Sequence, residues 1–331
     1  MREPLFILSP PRSFSSLISS IVGQHPELHA FTELQIFNDA TLGDMMEKNQ
    51  RRFNRLSSAG TIRSIAEVHE QGQTDESCAR AWLWLQKHAD WSPSEFFDYL
   101  RQKVNPKIAV EKTPVNTWKA SRLQSIIQTY PNAKFLHLSR SVNGNAKSLK
   151  EFIRDQDKLL GRKDAEQLTG RALSREYPAS VWYICHRNIF SMKPLIKQTN
   201  FLQIKGEDLL KYPKTILTEF CKWMNIDASP TSINAMLRSH ESPYAFVGPK
   251  IAIGGNDGKF MRQPVLRLKN TTMQESTQTF KEDASNEYHE LDYENFFKKY
   301  KSMSSRELQH VARWCAQLSS EIHAMQLRLG Y

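Results

Sequence analysis

The stretch Leu5-Phe6-Ile7-Leu8-Ser9-Pro10-Pro11-Arg12-Ser13-Phe14-Ser15-Ser16-Leu17 decides the fold. Its first four residues are apolar with no polar alternation, the pattern of a short strand covered on both faces of a parallel sheet. Ser9 to Ser13 reads as a turn. From Ser15 the apolar positions Leu17, Ile18, Ile21 and Val22 recur at helical spacing as far as Gly23, with Pro26 just beyond. A helix that starts directly after a buried strand offers unpaired backbone N–H groups and a positive dipole end, which suits an anion. Arg12 and the hydroxyls of Ser13, Ser15 and Ser16 would complete a phosphate cradle, although serines at a helix start are also ordinary caps.

Outward from this junction the chain alternates strands and helices. Ile108-Ala109-Val110 reads as a second strand ending at Glu111-Lys112-Thr113-Pro114. Lys134 to Ser139 reads as a third, with Arg140 at its C-terminal edge, and Phe201 to Lys205 as a fourth. Residues 41 to 105 are mostly helical in pattern. Further helices fall on Leu123, Ile126 and Ile127, on about Asn143 to Asp157, and on Ile216, Leu217, Phe220 and Trp223. Ser304 to Leu329 is amphipathic, with Leu308, Val311, Cys315, Leu318, Ile322 and Met325 on one face. The alternation predicts an α/β domain with a central parallel sheet flanked by helices. No linker or repeat divides the chain, so residues 1–331 read as one domain. The polar residues 270 to 290 fit an ordered or a mobile loop.

Composition narrows the function. A chain of 331 residues has ample core-forming capacity. Lys+Arg 45 against Asp+Glu 35 leaves a net charge of +10, which favours an anionic partner. No basic stripe with interleaved aromatics is present, so nucleic acid is not the expected partner. Cys78, Cys185, Cys221 and Cys315 form no C-x-x-C pair, and the histidines show no ligand spacing, so no metal is expected. The apolar run at Leu5–Leu8 is too short for a signal-peptide core, and no segment approaches a membrane span. The expectation is a cytoplasmic protein with no membrane contact; its oligomeric state is not legible.

Ligands of open parallel sheets collect at the carboxyl ends of strands. Three such ends carry unusual polar residues: Arg12 to Ser16, Glu111-Lys112, and Arg140 with Ser148 about two turns into the next helix. Each alone has a bland reading, as a cap cluster, a surface ion pair or a chance pair. The glycine-rich G-x-x-x-x-G-K-[ST] loop of a nucleotide kinase is absent.

Taken together, the three pieces resemble the sulfotransferases that use 3′-phosphoadenosine 5′-phosphosulfate (PAPS) and release 3′-phosphoadenosine 5′-phosphate (PAP). Pro11 to Leu17 is similar to their strand-P-[RK]-S-G-[ST]-T-L-helix, and Arg140 to Ser148 to their R-x7-S pair. Glu111-Lys112-Thr113-Pro114 resembles an element of the tyrosylprotein-type and polyketide-associated branches. His25-Pro26-Glu27-Leu28 with Glu33-Leu34, Gly206-Glu207-Asp208-Leu209, Gly255 to Phe260 and Leu329-Gly330-Tyr331 extend the likeness over most of the chain. The resemblance implies a P-loop-like sulfotransferase fold with no metal. It implies that Arg12, Ser13, Phe14, Ser15, Ser16 and Leu17 grip the 5′-phosphosulfate, and that Arg140 and Ser148 hold the 3′-phosphate. It further implies that Arg12 and Lys112 stabilise the leaving oxygen and that Glu33 is the base, with His29 and His137 in reserve. The acceptor would be a hydroxyl, or an amine, on a small natural-product-like molecule, free or carrier-bound.

Two positions depart from the family pattern. Phe14 stands where the family has glycine, and Gly206 where it has tyrosine. These departures support one alternative, a non-catalytic nucleotide-binding protein of the same fold; a nucleotide kinase is the other.

Overall fold

All four residues of β1 (Leu5–Leu8) are buried, as an unbroken apolar run demands. The computed structural model describes residues 1–51, 58–159, 178–264 and 305–331. The chain falls into two compact units. One comprises Met1–Ser9, Ser13–Ser139 and Asn188–Arg267; the other comprises Pro10–Arg12, Arg140–Arg187 and Leu268–Tyr331.

In chain order β1 is followed by α1 (Ser15–Gly23), β2 (Leu28–Ala30), α2 (Leu42–Arg51), α3 (Ala59–Glu70), α4 (Asp75–Lys87) and α5 (Pro93–Val104). Next come β3 (Ile108–Glu111), α6 (Ala120–Thr129), β4 (Lys134–Ser139), α7 (Val142–Leu159) and α8 (Ala179–Met192). The chain continues with β5 (Phe201–Lys205), α9 (Gly206–Lys211), α10 (Pro213–Met224), α11 (Pro230–Met236), α12 (Gly258–Arg262) and α13 (Ser305–Leu329). Local chemistry explains several boundaries. Capping boxes open α4 at Thr74 with Ser77 and α5 at Ser92 with Glu95, and Pro93 occupies the first turn of α5.

The first unit is built on a five-stranded sheet in the order β2-β3-β1-β4-β5, with every pair parallel. All four strands read from the sequence are present, and β1 sits at the centre with Leu5 opposite both Val110 and Lys134. The strand that sequence reading missed is β2. Its three residues, Leu28-His29-Ala30, are too few to carry a period, and pairing with β3 is what makes them a strand.

Because the side chains of a strand alternate, the apolar run of β1 feeds two cores. Phe6 and Leu8 join a cluster with Phe97, Ile126, Tyr130 and Phe135. Leu5 and Ile7 join Ile18 and Ile21 of α1, Leu217 and Phe220 of α10 and Ile233 of α11 on the other face. Phe6 stacks on Phe135 at 5.6 Å between ring centres and touches Phe97 and Tyr130, each at 5.5 Å.

In the second unit α7 extends slightly beyond the expected helix at both ends. Along α13 the side chains of Leu318, Ile322, Met325 and Leu329 are buried, so its apolar face is real at these positions. The side chains of Leu308, Val311 and Cys315, and the polar run 270 to 290, lie outside the described residues. Among the described residues no helix is long and apolar enough to cross a membrane.

Phe6 links the sheet to one helical layer, so Phe6→Ala should be among the costliest apolar truncations. The expected loss is about 3–5 kcal/mol of unfolding free energy, read by chemical denaturation.

Candidate functional site

Lys112 leaves the carboxyl end of β3 and is completely buried. Its ammonium donates to Glu33 Oε1 at 2.8 Å, Asn256 Oδ1 at 2.9 Å and Ser16 Oγ at 3.1 Å. An ammonium has three N–H bonds, and these three partners use them all. A buried cation is tolerated only when paired and hydrogen-bonded in this way. Ser16 Oγ also accepts from the Asp257 N–H at 3.0 Å, so one hydroxyl ties α1 to the segment before α12.

Glu33 reaches Lys112 because β2 carries the chain past the same end of the sheet as β3. Its backbone is clamped there: the Glu33 N–H donates to the Gly255 carbonyl at 2.8 Å. A Cβ at Gly60 of α3 would lie 2.0 Å from the Glu33 carbonyl oxygen, and Gly255 has a φ of +87° with Gly60 and Thr32 packed against it. Thr32 Oγ1 also donates to the Gly255 carbonyl. Thr61 Oγ1 donates to the Leu34 carbonyl at 2.6 Å, and the Gln35 N–H to Thr113 Oγ1 at 3.3 Å. The Glu33 side chain keeps 21% of its surface exposed while Lys112 has none, so the pair has one wet and one dry member.

The entrance to α1 takes its shape from backbone strain rather than from glycine. Phe14 occupies the N-cap with φ 61° and ψ 10°, a left-handed conformation, and provides no side-chain oxygen to the first-turn amides. Arg12 is also left-handed, with φ 68°. Such conformations cost about 1–2 kcal/mol per non-glycine residue, and they concentrate at functional sites. Ser13, Ser15 and Ser16 are buried around this bend, and Leu17 packs on Ala245, Phe260 and Met261. Gly206 then accounts for the size of Phe14. A Cβ at position 206 would fall 2.5 Å from Phe14 Cδ2, so the ring stands against the bare backbone at the start of α9. The two departures from the family pattern are one compensated pair.

The reserve bases are less well placed. Burial pushes the His29 imidazole down to about 4. Its ring packs against Phe31 at 4.8 Å and its buried Nε2 has no partner. His137 is buried in β4 with its ring 5.3 Å from Phe190 and 5.9 Å from Phe201. Among the described residues no three His, Cys, Asp or Glu side chains are grouped to hold a metal ion.

In the second unit Arg12, Arg140 and Ser148 form one connected group. Arg12 Nε donates to Ser148 Oγ at 3.2 Å, and Arg140 Nη1 donates to the Arg12 carbonyl at 2.8 Å. Asn145 Nδ2 donates to the Pro11 carbonyl at 2.7 Å and Trp182 Nε1 to the Arg140 carbonyl at 2.8 Å, which fixes the segment's backbone. The Arg12 guanidinium lies 5.3 Å from the centre of the Phe152 ring. Two guanidinium groups and a hydroxyl joined by these bonds are the elements of an anion site.

Two participants escaped the sequence reading. Asn256 was visible only inside Gly255-Asn256-Asp257, with no hint that its amide would hold Lys112. Arg63 is fully buried on α3; it donates through Nη1 to the Gly254 carbonyl and through Nε to Gln73 Oε1, both at 2.6 Å. Burial lowers its pKa to about 10. It braces the segment that delivers Gly255 and Asn256, and a lone arginine in a helical pattern carries no signal of that task.

A family model described as the sulfotransferase family matches residues 4–230. The chain belongs to the sulfotransferase family. Among solved structures it is similar to the sulfotransferase domain from the olefin synthase of Synechococcus PCC 7002. That match has 21% identity and a TM-score of 0.61, and covers 80% of this chain and 86% of that one. It is also similar to the sulfotransferase domain from the curacin biosynthetic pathway, with 22% identity, a TM-score of 0.58 and coverage of 73% and 78%. These likenesses establish the P-loop-like sulfotransferase fold. No curated protein matches the chain.

The coupling of Phe14 to Gly206 is measurable in this sulfotransferase. Gly206→Ala should destabilise by about 1–3 kcal/mol through overpacking. The same change made in a Phe14→Gly background should cost less, with a coupling of about 1 kcal/mol or more in a double-mutant cycle.

Proposed function

We propose that this sulfotransferase takes its sulfuryl group from PAPS and transfers it in line to a hydroxyl of a small acceptor. The observation that carries this reading is the buried Lys112 ammonium bonded to Glu33 and Ser16 at the carboxyl ends of β3 and β2 and the start of α1. A general base must sit within hydrogen-bond reach of the reacting centre, and the bond to Lys112 fixes Glu33 at the strand ends where ligands of such sheets collect. Transfer of this kind asks the protein for positioning and charge stabilisation more than for covalent chemistry.

The donor brings a phosphosulfate and a 3′-phosphate, and the residues present fit those charges. The first-turn amides of α1, with Ser13, Ser15 and Ser16, receive the 5′-phosphosulfate; Phe14 and Leu17 shape the wall beside it. Arg12, Arg140 and Ser148 supply the cations and hydroxyl for the 3′-phosphate. Lys112, its N–H bonds already used, steadies the leaving oxygen through its charge, while Glu33 Oε2 accepts the proton of the attacking hydroxyl. The proton thus moves from acceptor oxygen to Glu33 as the new S–O bond forms and the S–O bond to the phosphate breaks.

Of the two similar structures, one is a domain from a biosynthetic pathway and the other a domain from an olefin synthase. That context favours a biosynthetic product as acceptor, either released or bound to a carrier. Glu33→Gln should lower turnover about 10²–10⁴-fold while leaving calorimetric binding of PAP nearly intact. Arg12→Ala should abolish PAP binding. Parent-rate turnover in Glu33→Gln would remove Glu33 from the reaction, and an Arg12→Ala protein that binds PAP normally would remove the donor site.

A further inference from the structure

Glu111 closes β3 immediately before Lys112 and is 1% exposed. Its Oε2 accepts from Asn116 Nδ2 at 3.2 Å. Its other oxygen, Oε1, and Asn116 Oδ1 are both buried and have no hydrogen-bond partner. Two acceptors without donors, on side chains already bonded to each other, is a deficit that a single proton corrects. A neutral carboxyl both donates and accepts, as an amide does, so the two groups can pair through two hydrogen bonds. An ionised carboxyl only accepts and leaves Glu111 Oε1 and Asn116 Oδ1 without a donor, at the cost of desolvation.

Lys112 cannot serve as the missing donor. Its three N–H bonds are taken by Ser16, Glu33 and Asn256. On the neighbouring strand the residue in register with Glu111 is Phe6, which brings no charge. The ionisable groups that act on Glu111 are Lys112 and Glu33, and the polar ones are Thr113 and Asn116.

We propose that Glu111 is held as a neutral carboxylic acid whose proton is donated from Oε1 to Asn116 Oδ1, and that it is a positioning residue which leaves the Lys112 ammonium to Glu33. Burial raises the Glu111 carboxyl to about 7, the charge of Glu33 pushes the same way, and Lys112 with the Thr113 hydroxyl and N–H opposes it. Were Glu111 ionised, a second carboxylate would compete with Glu33 for the charge of Lys112. The protonation state stands on the geometry of Glu111 and Asn116. Its effect on turnover rests on the reading of Lys112 and Glu33 proposed above.

The sign of the linkage follows from the raised value. Between 4.5 and about 7 the folded protein keeps a proton that the unfolded chain releases. The resulting stability is fully present below the lower value and is lost as pH rises through the upper one. Glu111→Gln keeps the shape and the two-bond pairing but cannot ionise.

Infrared spectroscopy of the full-length protein labelled with ¹³C-glutamate reads the proton directly. At about pH 6 ordinary glutamates are ionised, so a protonated glutamate carboxyl band should persist in the parent, fade by about pH 8.5, and be missing from Glu111→Gln. In thermal melts the parent should lose Tm relative to Glu111→Gln as pH rises across the same interval. In PAPS turnover the variant-to-parent rate ratio should climb several-fold from about pH 6 to about pH 8.5. No protonated band at pH 6 in the parent, the result expected if a buried water satisfies these oxygens, overturns the proposal without needing the variant to fold. A Tm difference that does not vary with pH overturns it as well. Superimposed pH–rate profiles refute the positioning role. If neither protein turns over PAPS, the sulfotransferase reading fails, while the infrared and melting results still decide the state of Glu111.

Discussion

One fully buried ammonium organises the first unit. Lys112 has no contact with water, so its charge has to be met by fixed protein groups, and the three that meet it come from three separate places in the chain. Ser16 belongs to the helix after the central strand, Glu33 to the loop after the edge strand, and Asn256 to a loop that follows the last element of the sheet by some fifty residues. Losing Glu33 would strand a charge in a dry interior, which typically costs about 3–5 kcal/mol, and losing Ser16 or Asn256 would leave one ammonium N–H unmet. The cation therefore does for these segments what a metal ion does elsewhere: it makes their mutual placement a condition of folding. The surrounding glycines fit this view. Gly60 is bare because the Glu33 backbone is pressed against it, and Gly255 because Thr32 and the Gly60 backbone are pressed against it in turn.

Much of this was legible beforehand, and for physical reasons. Leu5–Leu8 is apolar at both parities, so a strand with two covered faces is the economical reading, and its side chains do divide between two cores. The strand ends were marked by Arg12, Lys112 and Arg140, since charged residues directly after buried strands are rare enough to attract notice. Where reading failed, the information was not local. The three residues of β2 become a strand only by pairing with β3. Asn256 becomes a ligand of Lys112 only through a glycine loop whose path is set by Arg63. The meeting of Phe14 with Gly206 spans 192 positions, and each looked like a defect when read alone. In the second unit Arg140 and Ser148 were expected to approach one anion from different sides; nothing in the sequence signalled that Arg12 bonds to both.

The bend between β1 and α1 illustrates how a loop can do without glycine. Glycine is favoured at left-handed positions because it lacks a Cβ, but it also has the most conformational freedom to lose on folding. Phenylalanine at position 14 reverses that exchange: the folded backbone is strained, while the unfolded chain is stiffer and the ring adds apolar packing with Leu17 and the helices on that face. The outcome is a bend whose geometry is enforced by a side chain.

That arrangement has a consequence for how the lineage can change. Restoring a large residue at position 206 while Phe14 remains would drive two groups into one volume, and removing the ring first would leave a gap above a bare turn. Either residue exchanged alone therefore meets a steric or a cavity cost that a paired exchange avoids, so the two positions act as a single unit of sequence.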